Sequence, residues 1–212
     1  MKTLIFDFDG TLADSLITYF HGFNQVAQDF GLPKIDLENI QALKQLSAKD
    51  LTIKYKIGPI KLTKLVYTIN KNLSKEIANL KFFPELKNVL QELAKDYQLG
   101  ILTSNNRENV RDFLKNQDCS ELFDFIHASK SIFGKDQTFR AMLRKHQLRK
   151  NDILYFGDEA RDIEACQKVG IKIAAVSWGF NATELLQAKN PDFLLSEPKQ
   201  ILPLIKKLSD HS

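Results

Sequence analysis

An α/β fold, in which helices cover both faces of a parallel sheet and an all-helical segment interrupts the chain early, is predicted by two features of this 212-residue sequence. After Phe82-Phe83-Pro84, short apolar runs alternate with stretches of helical spacing, which is the pattern of β-α units feeding a parallel sheet. Before that point a single apolar run, Leu4-Ile5-Phe6, precedes residues 15–81, which carry helical patterns and few strand signals. The expected organisation is a Rossmann-like core built from residues 1–14 and 82–212, with a helical domain of residues 15–81 inserted between the first two strands.

Leu4 to Phe8 reads as the first strand. Strand side chains alternate faces, so Asp7 and Asp9 would lie on one side, flanking Phe8 where strand gives way to loop. Gly10 lets the backbone turn sharply there. From Ser15, apolar residues recur at helical spacing (Leu16, Tyr19, Phe20, Phe23, Val26, Ala27, Phe30), with Asp14 or Ser15 as cap and Gly31 and Pro33 as the stop. Phe20, Phe23 and Phe30 read as core of the insertion. Asp36 and Ser47 can cap two short helices, Gly58-Pro59 breaks the chain, and Leu62, Leu65, Val66 and Ile69 continue the pattern to Leu73, Ile77 and Leu80. A helix follows over 85–96, then a strand over 99–102 ending in Thr103-Ser104-Asn105-Asn106, and a helix through Val110, Phe113 and Leu114. The rest alternates: strand 123–128, helix 136–146, strand 153–156 ending in Gly157-Asp158-Glu159, helix 162–169, strands 171–176 and 193–195, and a last helix over 200–208. Trp178 and Gly179 read as a packing residue and a turn.

Composition bounds the function. Hydrophobic residues at 43% and charged residues at 26% suit a globular domain with a real core, and a net charge of +4 is too mild to argue for nucleic acid. The insertion is different, with ten lysines against five acids, a balance of +5 that suggests it faces an anion. Cys119 and Cys166 form no knuckle or disulfide framework, which fits a reducing compartment. The histidines at 21, 127, 146 and 211 share no metal-like spacing. The N-terminal apolar run is short and broken by Asp7 and Asp9, unlike a signal peptide, and no stretch reaches the roughly 18 apolar residues of a membrane span. A soluble, cytoplasmic monomer or homodimer with no nucleic-acid or membrane partner is the expectation.

Ligands of open parallel sheets bind beyond the carboxyl ends of the strands. Strand 1 delivers Asp7 and Asp9 to that edge. The second strand delivers Thr103 and Ser104, the loop after the third leads to Lys135, and the fourth delivers Asp158 with Asp162 four residues on. Carboxylates gathered this way repel unless a cation intervenes, and an all-oxygen set with room for water suits Mg²⁺. A lysine beside Mg²⁺ makes a pocket for a phosphoryl group, and a carboxylate placed there can attack phosphorus.

These motifs resemble those of the haloacid-dehalogenase-type phosphohydrolases. FDFDGTLADS is similar to that family's first motif, ILTSN to the second, and GDEARD to the fourth, while Lys135 falls about where the third motif places its lysine, with Lys130 as a competitor. The resemblance covers essentially the whole chain, and the insertion matches the helical cap of the family's first cap class, which includes phosphoglycolate phosphatases and β-phosphoglucomutases. It implies Asp7 as nucleophile and Asp9 as general acid and base. Mg²⁺ would be held by Asp7, the Asp9 carbonyl, Asp158 and, as ligand or neighbour, Asp162. Phosphoryl contacts would come from Thr103 or Ser104, Lys135 and the Gly10 turn, and Lys49 in the cap would reach the substrate. Departures are Thr103-Ser104 for Thr-Asn, Asp136 for a proline after the lysine, Glu159 for a small polar residue, and Pro84-Glu85 for Pro-Gly.

The resemblance thus implies a Mg²⁺-dependent phosphatase of a small phosphorylated metabolite, similar to phosphoglycolate phosphatase. A phosphosugar mutase is the alternative, although such relatives usually carry a histidine where this chain has Tyr19. Dehalogenase chemistry dispenses with the second aspartate, so Asp9 speaks against it. A binding module that had lost catalysis would be expected to lack Asp7, Asp9 or Asp158.

Overall fold

The computed structural model describes residues 1–129 and 134–210. Strand β1 (Thr3–Phe6) lies in the middle of the sheet. On one side it pairs with β2 (Gln98–Thr103), beyond which lies β3 (Phe125–Ala128). On the other it pairs with β4 (Ile153–Gly157), followed by β5 (Lys172–Val176) and β6 (Phe193–Leu195), and all pairings are parallel. The chain builds outward from β1 in one direction, then returns to its other side, so the switch point lies between β1 and β4. Phe6 is level with Ile101 on one neighbour and Phe156 on the other. The backbone of Asp7 still follows β4, its N–H donating to the Phe156 carbonyl at 2.8 Å.

The period of two divides the core. Leu4, Phe6, Leu154 and Phe156 pack on one face and Ile5, Tyr155 and Ile173 on the other. Three helices cover the first face: α6 (Leu86–Leu93), α7 (Arg107–Asn116) and α11 (Ile201–Ser209). Three more cover the second: α8 (Lys135–Lys145), α9 (Ala160–Val169) and α10 (Thr183–Gln187). The five-residue α10 has too few turns to show a period, which is why no helix is expected from the sequence there.

Within residues 15–81 the chain is helical: α1 (Leu16–Val26), α2 (Ile40–Lys44), α3 (Ala48–Lys54), α4 (Pro59–Asn72) and α5 (Ser74–Ala78). Leu65, Ile69, Leu73 and Ile77 pack with Val26 and Ala27 in a cluster continuous with the first face of the sheet. Ser47 caps α3 as expected, accepting from the Asp50 N–H while its own N–H donates to Asp50 Oδ2. Ser15 does not cap α1. Its hydroxyl instead accepts from the Gly10 N–H at 3.2 Å and braces the loop after β1. Gly58-Pro59 separates α3 from α4 as expected, with Pro59 opening α4, since a first-turn residue needs no N–H. Glu85, where relatives often have glycine, keeps a left-handed φ of 67°.

The strand 1 expectation is two residues too long. After Phe6 the chain curls, with the Leu12 and Ala13 N–H groups donating to the Phe8 carbonyl, while the Phe8 ring stays fully buried against Phe113. The two crossings into the insertion run side by side, Asp14 N–H donating to Lys81 and Phe83 N–H to Leu12. The turn between α2 and α3 rests on the loop after β5: Ala182 N–H donates to the Lys44 carbonyl at 2.8 Å and Asn181 Nδ2 to that of Leu46 at 3.3 Å. Among the described residues, no helix is long and apolar enough to cross a membrane.

Candidate active site

Because β1 and β4 are neighbours, the residues that leave their ends meet. Asp7 follows β1, Asp158 follows β4, and Asp162 stands in the first turn of α9. One carboxylate oxygen of each lies within 4.8 Å of the others, and all three residues are buried. Asp158 accepts from Thr11 Oγ1 on one oxygen and from the Phe180 N–H on the other, both at 2.7 Å. Asp162 Oδ2 accepts from the Glu159 N–H, fixing it to the start of its own helix. Lys135, the first residue of α8, reaches in from the opposite side. Its Nζ lies 2.5 Å from Asp7 Oδ2 and is ion-paired with Asp162 Oδ1.

Space for these carboxylates comes from glycines. A Cβ on Gly10, whose φ is +72°, would stand 2.2 Å from Asp158 Oδ2, and one on Gly179 would stand 2.3 Å from both that oxygen and the Gly10 carbonyl. Gly10 makes the sharp turn expected after the first strand. Its N–H donates to the Ala13 carbonyl and to Ser15 Oγ, and its lack of a side chain provides room.

Burial raises the Asp158 carboxyl well above the ordinary aspartate value, and the neighbouring Glu159, Asp7 and Asp162 push the same way. Burial likewise carries Asp162 up to about 6, with Lys135 pulling it back. For Lys135, burial works against the charged form, but Asp162 and Asp7 outweigh it and hold the ammonium above its usual range. Three buried carboxyl groups that converge and offer only oxygen donors fit a hard divalent cation.

Asp9 sits apart from this cluster. Its Oδ2 accepts from Asn105 Nδ2 at 2.9 Å and lies 3.3 Å from the Tyr19 hydroxyl, while its Oδ1 is buried without a hydrogen-bond partner. Burial lifts its carboxyl to about 7, the Asn105 hydrogen bond opposing and the Asp7 charge adding to the rise. Asn105 is itself held by Asn109 from α7. At the end of β2, Thr103 is buried and its Oγ1 accepts from the Asn105 N–H at 2.9 Å. Thr103, Ser104, Ser129, Lys135, Thr138 and Arg161 line one small cavity beside the carboxylates.

The structure thus brings Asp7, Asp9, Thr103, Ser104, Lys135, Asp158 and Asp162 to one edge. Lys49 is not among them: it is exposed on α3, and its neighbours Ala48, Leu51 and Thr52 line the cleft instead. Lys130 lies outside the described residues, as does His211. Arg161, Asn105 and Phe180 are in the site without having been singled out from the sequence. Arg161 lines both the small cavity and a cleft of about 200 Å³ that also contains Asp9 and Ser104, and it is ion-paired with Glu159. The signal for Arg161 and Asn105 was their place inside GDEARD and TSNN; Phe180 gave none, because it acts through its backbone N–H.

The insertion's lysines stand around the catalytic cleft and not in its wall: Lys44 lines an adjoining cavity and Lys64 a groove past Ser104. The insertion's wall in the cleft is Leu51, Ile57, Leu62 and Val66, and no lysine lines that cleft. The reason is helical amphipathicity: on α4, Leu62, Leu65, Val66 and Ile69 form one stripe, and Lys61, Lys64 and Lys71 fall on other faces.

Residues 4–176 match the haloacid dehalogenase-like hydrolase family. A phosphoglycolate phosphatase of Synechococcus elongatus is 34% identical over 209 residues, covering 98% of this chain and 99% of that protein. The pyrophosphatase PpaX of Oceanobacillus iheyensis is 24% identical, covering 97% of each. A haloacid dehalogenase-like family hydrolase of known structure from Streptococcus pneumoniae superposes with a TM-score of 0.78 at 25% identity, covering 97% of this chain and 98% of that one. With the carboxylate cluster at the switch point of a parallel sheet and a likeness that runs the length of the chain, the protein belongs to the haloacid dehalogenase-like hydrolases, among the phosphatases of that family.

Proposed function

We propose that this enzyme is a Mg²⁺-dependent phosphatase that hydrolyses a small phosphorylated metabolite through an aspartyl-phosphate on Asp7. The observation that carries the reading is the separation of two buried aspartates into different environments. Asp7 is bound by Lys135 beside two further carboxyls, whereas Asp9 is held by Asn105 and Tyr19 with its carboxyl raised to about 7. A nucleophile and a proton carrier need just such a division.

In this mechanism an Asp7 oxygen attacks phosphorus in line and the bond to the leaving oxygen breaks. Asp9, protonated, gives its proton to that oxygen. The Asp9 carboxylate then takes a proton from water as the water attacks the aspartyl-phosphate, releasing phosphate and restoring Asp7. Lys135, Thr103 and Ser104 hold the phosphoryl oxygens. Asp7, Asp158 and Asp162, with the Asp9 carbonyl, are the residues that would hold Mg²⁺, which when bound neutralises the carboxylates and polarises the phosphoryl group. Residues 15–81 act as a cap that screens the reacting atoms from water.

The S. elongatus relative makes phosphoglycolate one ester to assay. The direct test is p-nitrophenyl phosphate hydrolysis with Mg²⁺, with EDTA, and by Asp7→Asn. Turnover that survives EDTA or the substitution would refute the mechanism.

A further inference from the structure

The catalytic cleft does not end at the phosphoryl site. It adjoins a second cavity of about 290 Å³ lined mainly by the helical insertion, and the two share Leu51, Ile57, Leu62 and Val66 from the insertion, with Tyr19, Phe180 and Glu159. Deeper in, the walls are Phe20, Phe23, Tyr55, Leu65 and Ile69. The Tyr19 and Phe180 rings stand edge to face, 6.0 Å between centroids, and both line the two spaces. Of the insertion's ten lysines, Lys44 alone lines either cavity, and Glu159, which lines both, is ion-paired with Arg161 of the catalytic cleft.

A charged group carried along this path would shed its hydration against Leu51, Ile57 and Leu62. An alkyl or aryl group would gain by leaving water. The opposite side of the cleft has another character. A groove past Ser104 and Asn105 carries Lys64 and Arg107, both exposed. Exposed cations draw a phosphate dianion toward the site, but they leave the inner wall apolar.

We infer that the substrates of this enzyme are phosphomonoesters of apolar alcohols, whose alkyl or aryl part passes beside Tyr19 and Phe180 into the cavity of the insertion, with Leu62 and Val66 setting the length accepted. This rests on the phosphatase reading above and narrows its substrate class.

The test is steady-state kinetics with Mg²⁺ on straight-chain alkyl phosphates from ethyl to octyl, with phosphoglycolate and glycerol phosphate as polar esters. The expected result is a kcat/KM that climbs by about threefold per methylene until the cavity is full, mainly through KM. Val66→Trp should shorten the preferred chain by about two methylenes. Since a tryptophan inside the insertion can cost folding, competitive inhibition of the unaltered enzyme provides a second measurement, with hexylphosphonate expected to bind at least about thirtyfold tighter than methylphosphonate. A flat chain-length profile, or equal binding of the two phosphonates, overturns the inference and leaves the phosphatase reading standing. So does a preference for phosphoglycolate over hexyl phosphate that is lost in Lys64→Ala or Arg107→Ala. No turnover of any ester overturns both.

Discussion

The Tyr19 hydroxyl lies 3.3 Å from Asp9 Oδ2 and is also hydrogen-bonded to Asn70 Oδ1, so its single proton can serve only one of them. When it goes to Asn70 on α4, a Tyr19 lone pair faces a protonated Asp9. The helical insertion is thereby linked to the proposed proton carrier through one side chain.

Activity should follow the Asp9 proton. A carboxyl raised to about 7 is still protonated where ordinary aspartates are ionised, and it must be protonated to donate. For an alkyl phosphate, kcat/KM should therefore fall as pH rises through about 7. For p-nitrophenyl phosphate, whose leaving group needs no proton, the same limb should be shallow. Asn105 and Tyr19 both favour the ionised form, so Asn105→Leu and Tyr19→Phe should move the limb to higher pH. Limbs that stay in place or move down would sink the assignment of Asp9.

Substitution of Asp7 separates chemistry from folding. Asp7→Asn should lower kcat by a factor on the order of 10³ or more, as expected when a nucleophile is lost. Far-UV circular dichroism should be unchanged, since the amide oxygen of an asparagine can still accept from the Phe8 N–H, as Asp7 Oδ1 does. Mass spectrometry of acid-quenched wild-type enzyme should find a phosphoryl group on Asp7; finding it on another residue would refute the scheme.

Metal binding can be read without turnover. With EDTA, stability should decline as pH rises from about 4 to about 6. Burial raises the Asp162 carboxyl from 3.8 to about 6 and Asp158 in the same direction, so the folded state holds protons that the unfolded chain releases. At a hundredfold excess over Kd, Mg²⁺ should add about 2.7 kcal/mol at pH 7.5, and the same concentration should add less at pH 5. Differential scanning fluorimetry of Asp158→Asn should show no Mg²⁺-dependent shift; a full shift would exclude Asp158 as a ligand.

Gly179→Ala should be destabilising by about 2 kcal/mol or more, because its Cβ meets both Asp158 and the Gly10 backbone at 2.3 Å. Urea unfolding with and without Mg²⁺ measures it, and loss of the Mg²⁺ response in the same variant would show that Asp158 has moved. A neutral substitution would mean that the loop yields freely.

Much of this was legible in the residues. The alternation of apolar runs and helical stripes located every strand to within about two residues, because a strand buried on both faces must be apolar throughout. The clustering of Asp7, Asp9, Thr103, Lys135, Asp158 and Asp162 followed from one rule about strand ends. Lys135 was harder, since a lysine on a loop has no period, and it was the β1–β4 neighbourhood that brought Asp7 and Asp162 onto either side of its ammonium. The local pattern misjudged Ser15, which looked like a helix cap and in the fold accepts from the Gly10 N–H, whereas Gly10 makes the sharp turn expected of it, with a φ of +72°.

The sequence by itself determined the α/β architecture, the position of the helical insertion and the identity of the carboxylates, since all of these depend on which residue types stand at which local spacing. Only the tertiary structure decided which way the insertion faces. Its charge summed to +5, yet helical geometry sorts side chains by face and not by total. No lysine entered the wall of the catalytic cleft, and Leu51, Ile57, Leu62 and Val66 did, where burial of apolar surface is favourable.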